Sequence, residues 1–370
     1  MTVDILPALP EELRMVAEAT GRSADKEFDR ARVRAFADGG DGPGESYLRA
    51  GAELGWFGFL AGTEHGGGSA SGNGFTDAAV VAAERGARLQ PGPYTGHSVV
   101  VRTLSRAGAR ADVLPKLTEG ECWATWLGHG GGITATTSGR GLRLDGDVTA
   151  VAHAADCAWF LVTAAGPAGP VQALIPADAP GVTVRALSGV DLTRRWHAVT
   201  LSGVEAGADS VLPATRERLA EQHAVADLLT AADAAGAMHA DFTLVVEHAK
   251  SRIAFGRPIG SFQAVKHLLA DTSLWLEMSK GMVAAAAVAL GDGSPDAYSL
   301  AAAAASFTGE RGTEVADNCF QVFGGMGFTW EHDQHFYLRR LTAAAVEYGT
   351  PEAHRARLWD LAAAGEAEEN

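Results

Sequence analysis

Two stretches of this chain combine residue types that could hold a phosphate. The first is Ser251–Asp271, SRIAFGRPIGSFQAVKHLLAD. A cation, Arg252, closes a helical stretch, and the turn Phe255-Gly256-Arg257-Pro258-Ile259-Gly260 follows. Ser261 is placed to cap a new helix carrying Gln263, Lys266 and His267. A positive group, backbone donors and an amide gathered at such a corner suit a phosphate. An ordinary Gly/Pro turn between two helices would give the same spacing. The second stretch is Gln321-Val322-Phe323-Gly324-Gly325-Met326-Gly327-Phe328-Thr329-Trp330-Glu331. Here a helix ends in paired glycines, so backbone can approach a ligand closely, and Gln321 supplies an amide beside it.

Other motifs carry less. Gly128-His129-Gly130-Gly131-Gly132 could serve as an oxyanion-hole loop, but no G-x-S-x-G elbow accompanies it, and it reads as a flexible loop. The glycine-rich run after His65 follows no strand and reads as a surface loop. His153, His223, His239, His248 and His354 pair with no recognisable nucleophile. Cys122, Cys157 and Cys319 are far apart, with neither a disulfide framework nor metal-ligand spacing, so no metal is expected. The formal charge of −15, without a basic run, argues against nucleic acid. The acidic first residues do not resemble a signal peptide, and no stretch reads as long and apolar enough to span a membrane. The cytoplasm is the expected compartment.

The elements that must position these groups fall into three parts. Residues 1–112 read as helices, with Pro10-Glu11-Glu12 opening the first and further helices at 24–38, 44–54, 76–85 and 98–107. Residues 113–212 read as a compact β domain. There Leu142–Val148 alternates around Gly146 as a hairpin would, and strands follow at 158–164, 171–176, 182–187 and 198–202. Residues 213–370 return to helices: 216–252, 262–290, 296–323 and 351–364, ahead of an acidic tail. Long antiparallel helices imply a bundle. The fold class is α+β.

Taken together, the two phosphate-suited stretches resemble the acyl-CoA dehydrogenase family. Its R-x-x-F-G-x-x-I-x-x-F-Q signature stands here as Arg252, Phe255, Gly256, Ile259, Phe262 and Gln263. Its Q-x-x-G-G-x-G-[FY]-T-x-E signature stands as Gln321, Gly324, Gly325, Gly327, Phe328, Thr329 and Glu331. The segment from Leu54-Gly55-Trp56 to Glu64-His65-Gly66-Gly67 is similar to a third family segment. The resemblance implies an N-terminal helical domain, a central β-barrel or sandwich and a C-terminal four-helix bundle. It also implies FAD, with the ring against one subunit's β domain and the ADP portion on a neighbour's bundle. By similarity Arg252 pairs with the pyrophosphate, Gln321, Gly324 and Gly325 contact the ADP portion, and Phe255 and Gln263 complete the clamp.

The resemblance fails where the flavin ring and the catalytic base belong. The family's T-E-P-x-x-G-S-D segment is replaced by Leu127–Thr134, and its W-I-T segment by Ala150, Val151 and Ala152. The family's usual glutamate positions hold Tyr348 and Ala226. Glu347, one residue early, and Asp227, which otherwise reads as a solvated helix-face acid, are the remaining candidates for a base. The resemblance therefore points to the non-catalytic subunit of a heteromeric (α2β2) enzyme of actinobacterial steroid catabolism. Its partners would be a paralogous subunit, an acyl-CoA and an electron acceptor. Two alternatives stay open: a self-sufficient homotetramer using Asp227 or Glu347, and a flavin-free structural subunit.

Overall fold

The computed structural model describes residues 2–5, 10–128 and 132–368, with side chains described up to 363. The His129–Gly131 part of the HGGG loop and of the replaced flavin segment lies outside the described residues.

Three helices come first: α1 (Glu11–Glu27), α2 (Arg30–Ala37) and α3 (Glu45–Glu53). Pro10 precedes α1, with two acids in its first turn, and the Asp29 carboxylate caps α2 by accepting from Arg32 N–H. Next are α4 (Gly74–Ala87), α5 (Tyr94–Ala107) and the short α6 (Leu114–Thr118). Almost every residue of α4 is buried, which fits its alanine- and valine-rich sequence and its place inside the helical layer.

The β part runs through β1 (Trp123–Leu127), β2 (Ile133–Ser138), β3 (Gly141–Ala152), β4 (Cys157–Gly166), β5 (Gly169–Pro176), β6 (Val182–Leu187), β7 (Trp196–Ala206) and β8 (Val211–Leu212). Hydrogen bonding makes one eight-stranded sheet in the order β6-β7-β3-β2-β4-β5-β8, with β1 parallel to β4. Its two halves meet where β2 joins β4 at Thr134↔Ala165. The hairpin expected around Gly146 is not there. Leu142–Val148 lies inside the single strand β3, and the turn falls at Gly139-Arg140, where Ser138 faces Gly141. Gly146 instead marks a shift of register against β7, with φ +133°, and a Cβ there would stand 2.1 Å from Gly132 O. A lone glycine within an alternating strand fits a bulge as well as a turn.

The bundle is built from α7 (Arg216–Ser251), a two-strand ribbon of β9 (Ile253–Ala254) and β10 (Arg257–Pro258), α8 (Gln263–Asp292), α9 (Ala297–Phe323), α10 (Gln334–Ala344) and α11 (Pro351–Glu368). Ser261 does not cap α8. Its hydroxyl donates to Pro258 O at 2.7 Å inside a 3₁₀ turn, and extended Phe262 precedes the helix. By length and composition α8 could cross a membrane, with a mean hydropathy of 1.3 over its best window, contrary to the sequence expectation. Half of that window is buried within the protein.

The crossing of α4 and α7 is set by two glycines. A Cβ on Gly86 would stand 1.9 Å from Asp233 O, and one on Gly236 would stand 1.9 Å from Ala83 O. Both obstacles are backbone and cannot turn aside. Gly236→Ala is expected to cost about 1–3 kcal/mol by forcing the helices apart. A lowered urea midpoint would show it; an unchanged midpoint would mean that these backbones are not in contact.

Candidate functional site: an outward clamp and a filled cleft

The two signature stretches meet at one end of the bundle. Because α7, α8 and α9 alternate in direction, the C-terminal ends of α7 and α9 lie together, and the His248 ring packs on the Phe323 ring with centroids 4.8 Å apart. Arg252 is the residue that closes α7, its N–H donating to His248 O at 2.8 Å. Its side chain is exposed, and so are those of Gln263 at the start of α8 and Gln321 in the last turn of α9. Gly324 ends α9 at φ +62° and ψ −145°, and open space surrounds the Cβ positions of Gly324 and Gly325. A guanidinium, two amides and accessible backbone therefore share one surface.

Phe255 forms the tip of the β9–β10 ribbon. It has φ +51°, is followed by Gly256 at +77°, and is 94% exposed. An aromatic residue in the left-handed region is costly, of order 1–3 kcal/mol, and here no burial offsets the cost within the chain. Beside it Arg257 lies over the Phe262 ring, 4.2 Å from the centroid. Phe328, 77% exposed, stands edge-on to Phe320 beyond the glycine motif. Exposed aromatics grouped in this way mark an interaction surface.

The cleft between the β sheet and the helices is filled by the chain's own side chains. Trp126 on β1 is fully buried, and its ring lies parallel to that of Tyr348, 9° between planes and 6.3 Å between centroids. His223 of α7 meets Trp126 edge-on at 5.0 Å. The Tyr348 hydroxyl and Thr125 Oγ1 crowd Gly96 of α5, lying 3.2 and 2.3 Å from where a Cβ would be. Next to them a reciprocal amide pair bridges sheet and helices. Gln172 of β5 donates to Gln222 of α7 at 2.7 Å, and Gln222 donates back at 3.0 Å. Thr103 of α5 and Thr163 of β4 accept from the same two amides. Sequence reasoning did not find Trp126, Gln172 or Gln222.

Neither base candidate is free. Glu347 turns away from the cleft and accepts from Arg194 Nη1 at 2.5 Å. Burial raises its pKa, yet the carboxylate is committed to that cation. Asp227 is not a solvated acid but is 1% exposed. Arg357 of α11 donates to its Oδ2 at 2.6 Å, while burial pushes its pKa up to about 7. Tyr348 is held well above its ordinary pKa by burial and stays a neutral phenol. Ala226 is fully buried.

Two family models match the chain. "Acyl-CoA dehydrogenase, N-terminal domain" covers residues 10–121, and "Acyl-CoA dehydrogenase, C-terminal domain" covers 217–360. Acyl-CoA dehydrogenase IpdE2 of Mycobacterium tuberculosis is 31% identical over 353 residues, which cover 94% of this chain and 96% of that protein. The chain belongs to the acyl-CoA dehydrogenase family. It is also 33% identical over 297 residues to acyl-CoA dehydrogenase FadE34 of the same organism, covering 78% of this chain and 38% of that longer protein. Among solved structures, the Tcur3481-Tcur3483 steroid ACAD G363A variant aligns with TM-score 0.87 and 27% identity over 96% of this chain and 99% of that one. The ChsE4-ChsE5 complex from Mycobacterium tuberculosis shares the fold, with TM-score 0.85 and 23% identity over 98% and 99% of the two chains. The outward-facing Arg252, Gln263, Gln321 and Gly324-Gly325 backbone are groups of kinds suited to a diphosphate. The ring half does not fit. Ala150 and Val151 offer neither an aromatic ring nor a hydroxyl, and Ala152 packs with Trp196 and Ala343.

Proposed function

We propose that this chain is the clamp-donating subunit of a heteromeric, α2β2 FAD-dependent acyl-CoA dehydrogenase. The enzyme would oxidise an acyl-CoA thioester, of a steroid-derived kind, to the trans-2-enoyl-CoA in the cytoplasm and pass electrons to a separate acceptor. The observation that carries the reading is an asymmetry. Trp126 and Tyr348 occupy this chain's own cleft, while Arg252, Gln321 and Gly324 face outward. Bound FAD would supply the hydride acceptor, with its ring and the catalytic base belonging to the paralogous partner. This chain's Arg252 would hold the diphosphate by charge-assisted hydrogen bonds, Gln321 and the Gly324-Gly325 backbone would contact the ADP portion, and Phe255 and Gln263 would border it. The strained, exposed Phe255 supports the reading, since a neighbour's cofactor would give it the cover that its own chain does not.

Expression alone and together with a paralogous dehydrogenase subunit tests this. Flavin absorbance and acyl-CoA turnover are expected only in the co-purified complex. Yellow, active protein from this chain alone would overturn the reading in favour of a self-sufficient enzyme. A colourless complex would leave a structural role.

A further inference from the structure

Tyr348 also borders a small void deeper in the bundle, walled by Asp227 and Thr230 of α7, Thr308 of α9, His354 of α11 and several small residues. The space open to the centre of a water-sized sphere is about 10 Å³, close to the roughly 10–15 Å³ that one water needs. Three buried oxygens of these walls have no hydrogen-bond partner among the described residues: Asp227 Oδ1, Thr230 Oγ1 and Thr308 Oγ1. The two threonines differ from four others in this protein's helices. Thr103, Thr243, Thr272 and Thr342 each donate to the carbonyl four residues back. Thr230 and Thr308 do not.

His354 does not supply the missing donor. Its Nδ1 lies 2.5 Å from Arg357 Nη2. It must accept there, which places the ring proton on Nε2, and burial lowers its pKa to about 4, so the ring is neutral. The 3.5 Å approach of Nδ1 to Asp227 Oδ1 is then not a hydrogen bond.

We infer that one structural water is held between α7, α9 and α11 by Asp227 Oδ1, Thr230 Oγ1 and Thr308 Oγ1. A water has two donors and two acceptors. It donates to the carboxylate and to one threonine and accepts from the other, so all three oxygens are satisfied. The hydrated carboxylate holds Arg357 with its other oxygen and so ties α11 to the bundle. The proposal does not depend on the clamp reading.

Thr308→Val, which keeps the volume and removes the hydroxyl, tests it by the sign of a thermal shift. If the hydroxyl holds the water, the variant leaves that water and Asp227 short of a partner, and Tm falls by a few degrees. If the hydroxyl is merely orphaned, its removal leaves Tm unchanged or raises it, and the proposal is overturned. Should the variant not fold, a high-resolution crystal structure of the unmodified protein decides. Density for one water within about 2.7–3.2 Å of these oxygens supports the site. A dry void, or threonines turned back to their own helices, overturns it.

Discussion

Arg252→Ala, introduced into the co-purified complex, is expected to strip most of its FAD. Arg252 is exposed at the end of α7, and no ion pair engages its guanidinium among the described residues. Its charge is therefore available to a ligand, and no ion pair among the described residues is lost with it. A charge-assisted hydrogen bond is worth about 1.5–3 kcal/mol, or roughly ten- to a hundredfold in affinity. The flavin-to-protein ratio after gel filtration should fall accordingly, while the complex itself stays assembled. Arg252→Lys should recover part of the loss, since it restores the charge but not the planar fork. FAD occupancy equal to the unmodified complex in the alanine variant would remove Arg252 from the clamp.

Asp233→Ala is expected to cause the largest loss of stability of any single change considered. Asp233 sits between two buried guanidiniums, taking two hydrogen bonds from Arg340 at 2.9 and 2.8 Å and one from Arg194 at 3.2 Å. Burial alone would raise its pKa, but the two arginines hold it below the usual carboxylate range. Arg340 is further engaged by Thr193 and Gln90 O, so the cluster joins the β7 approach, α7 and α10. Deleting the carboxylate removes both of Arg340's hydrogen bonds to it and leaves only Asp191 at 3.7 Å as that cation's counter-charge, while Arg194 keeps Glu347, at about 3–5 kcal/mol. Urea denaturation should show a midpoint well below that of the unmodified chain. The double exchange Asp233→Leu with Arg340→Met removes one charge of each sign and should recover much of the loss. A midpoint unchanged in Asp233→Ala would mean that water reaches the cluster.

The cluster also bears on catalysis. Glu347 belongs to it through Arg194, so a carboxylate one residue from the family's usual position serves the architecture and not the cleft. The residue that does reach the cleft, Tyr348, is a neutral phenol packed on Trp126.

What the sequence determined by itself was local. Pro10 and two acids announced α1, long apolar periodicity announced α7, α8 and α9, and the two signature stretches announced the family and one shared surface. Such signals work because capping, turns and helical periodicity act between residues a few positions apart. Even locally the signal can be shared by two outcomes: Gly146 suits a bulge as well as a turn, and Ser261 suits a 3₁₀ turn as well as a cap. Only the tertiary structure decided the state of the charged groups and of the cleft. Asp227 meets Arg357 across 130 positions, and Glu347 meets Arg194 across 153. Gln172 and Gln222 close the cleft from the sheet and from the helical bundle, 50 positions apart. A carboxylate on a helix looks the same in sequence whether it faces water or a buried guanidinium. Its chemistry follows from desolvation and from which cation stands opposite, and both are set by packing between elements far apart in the chain.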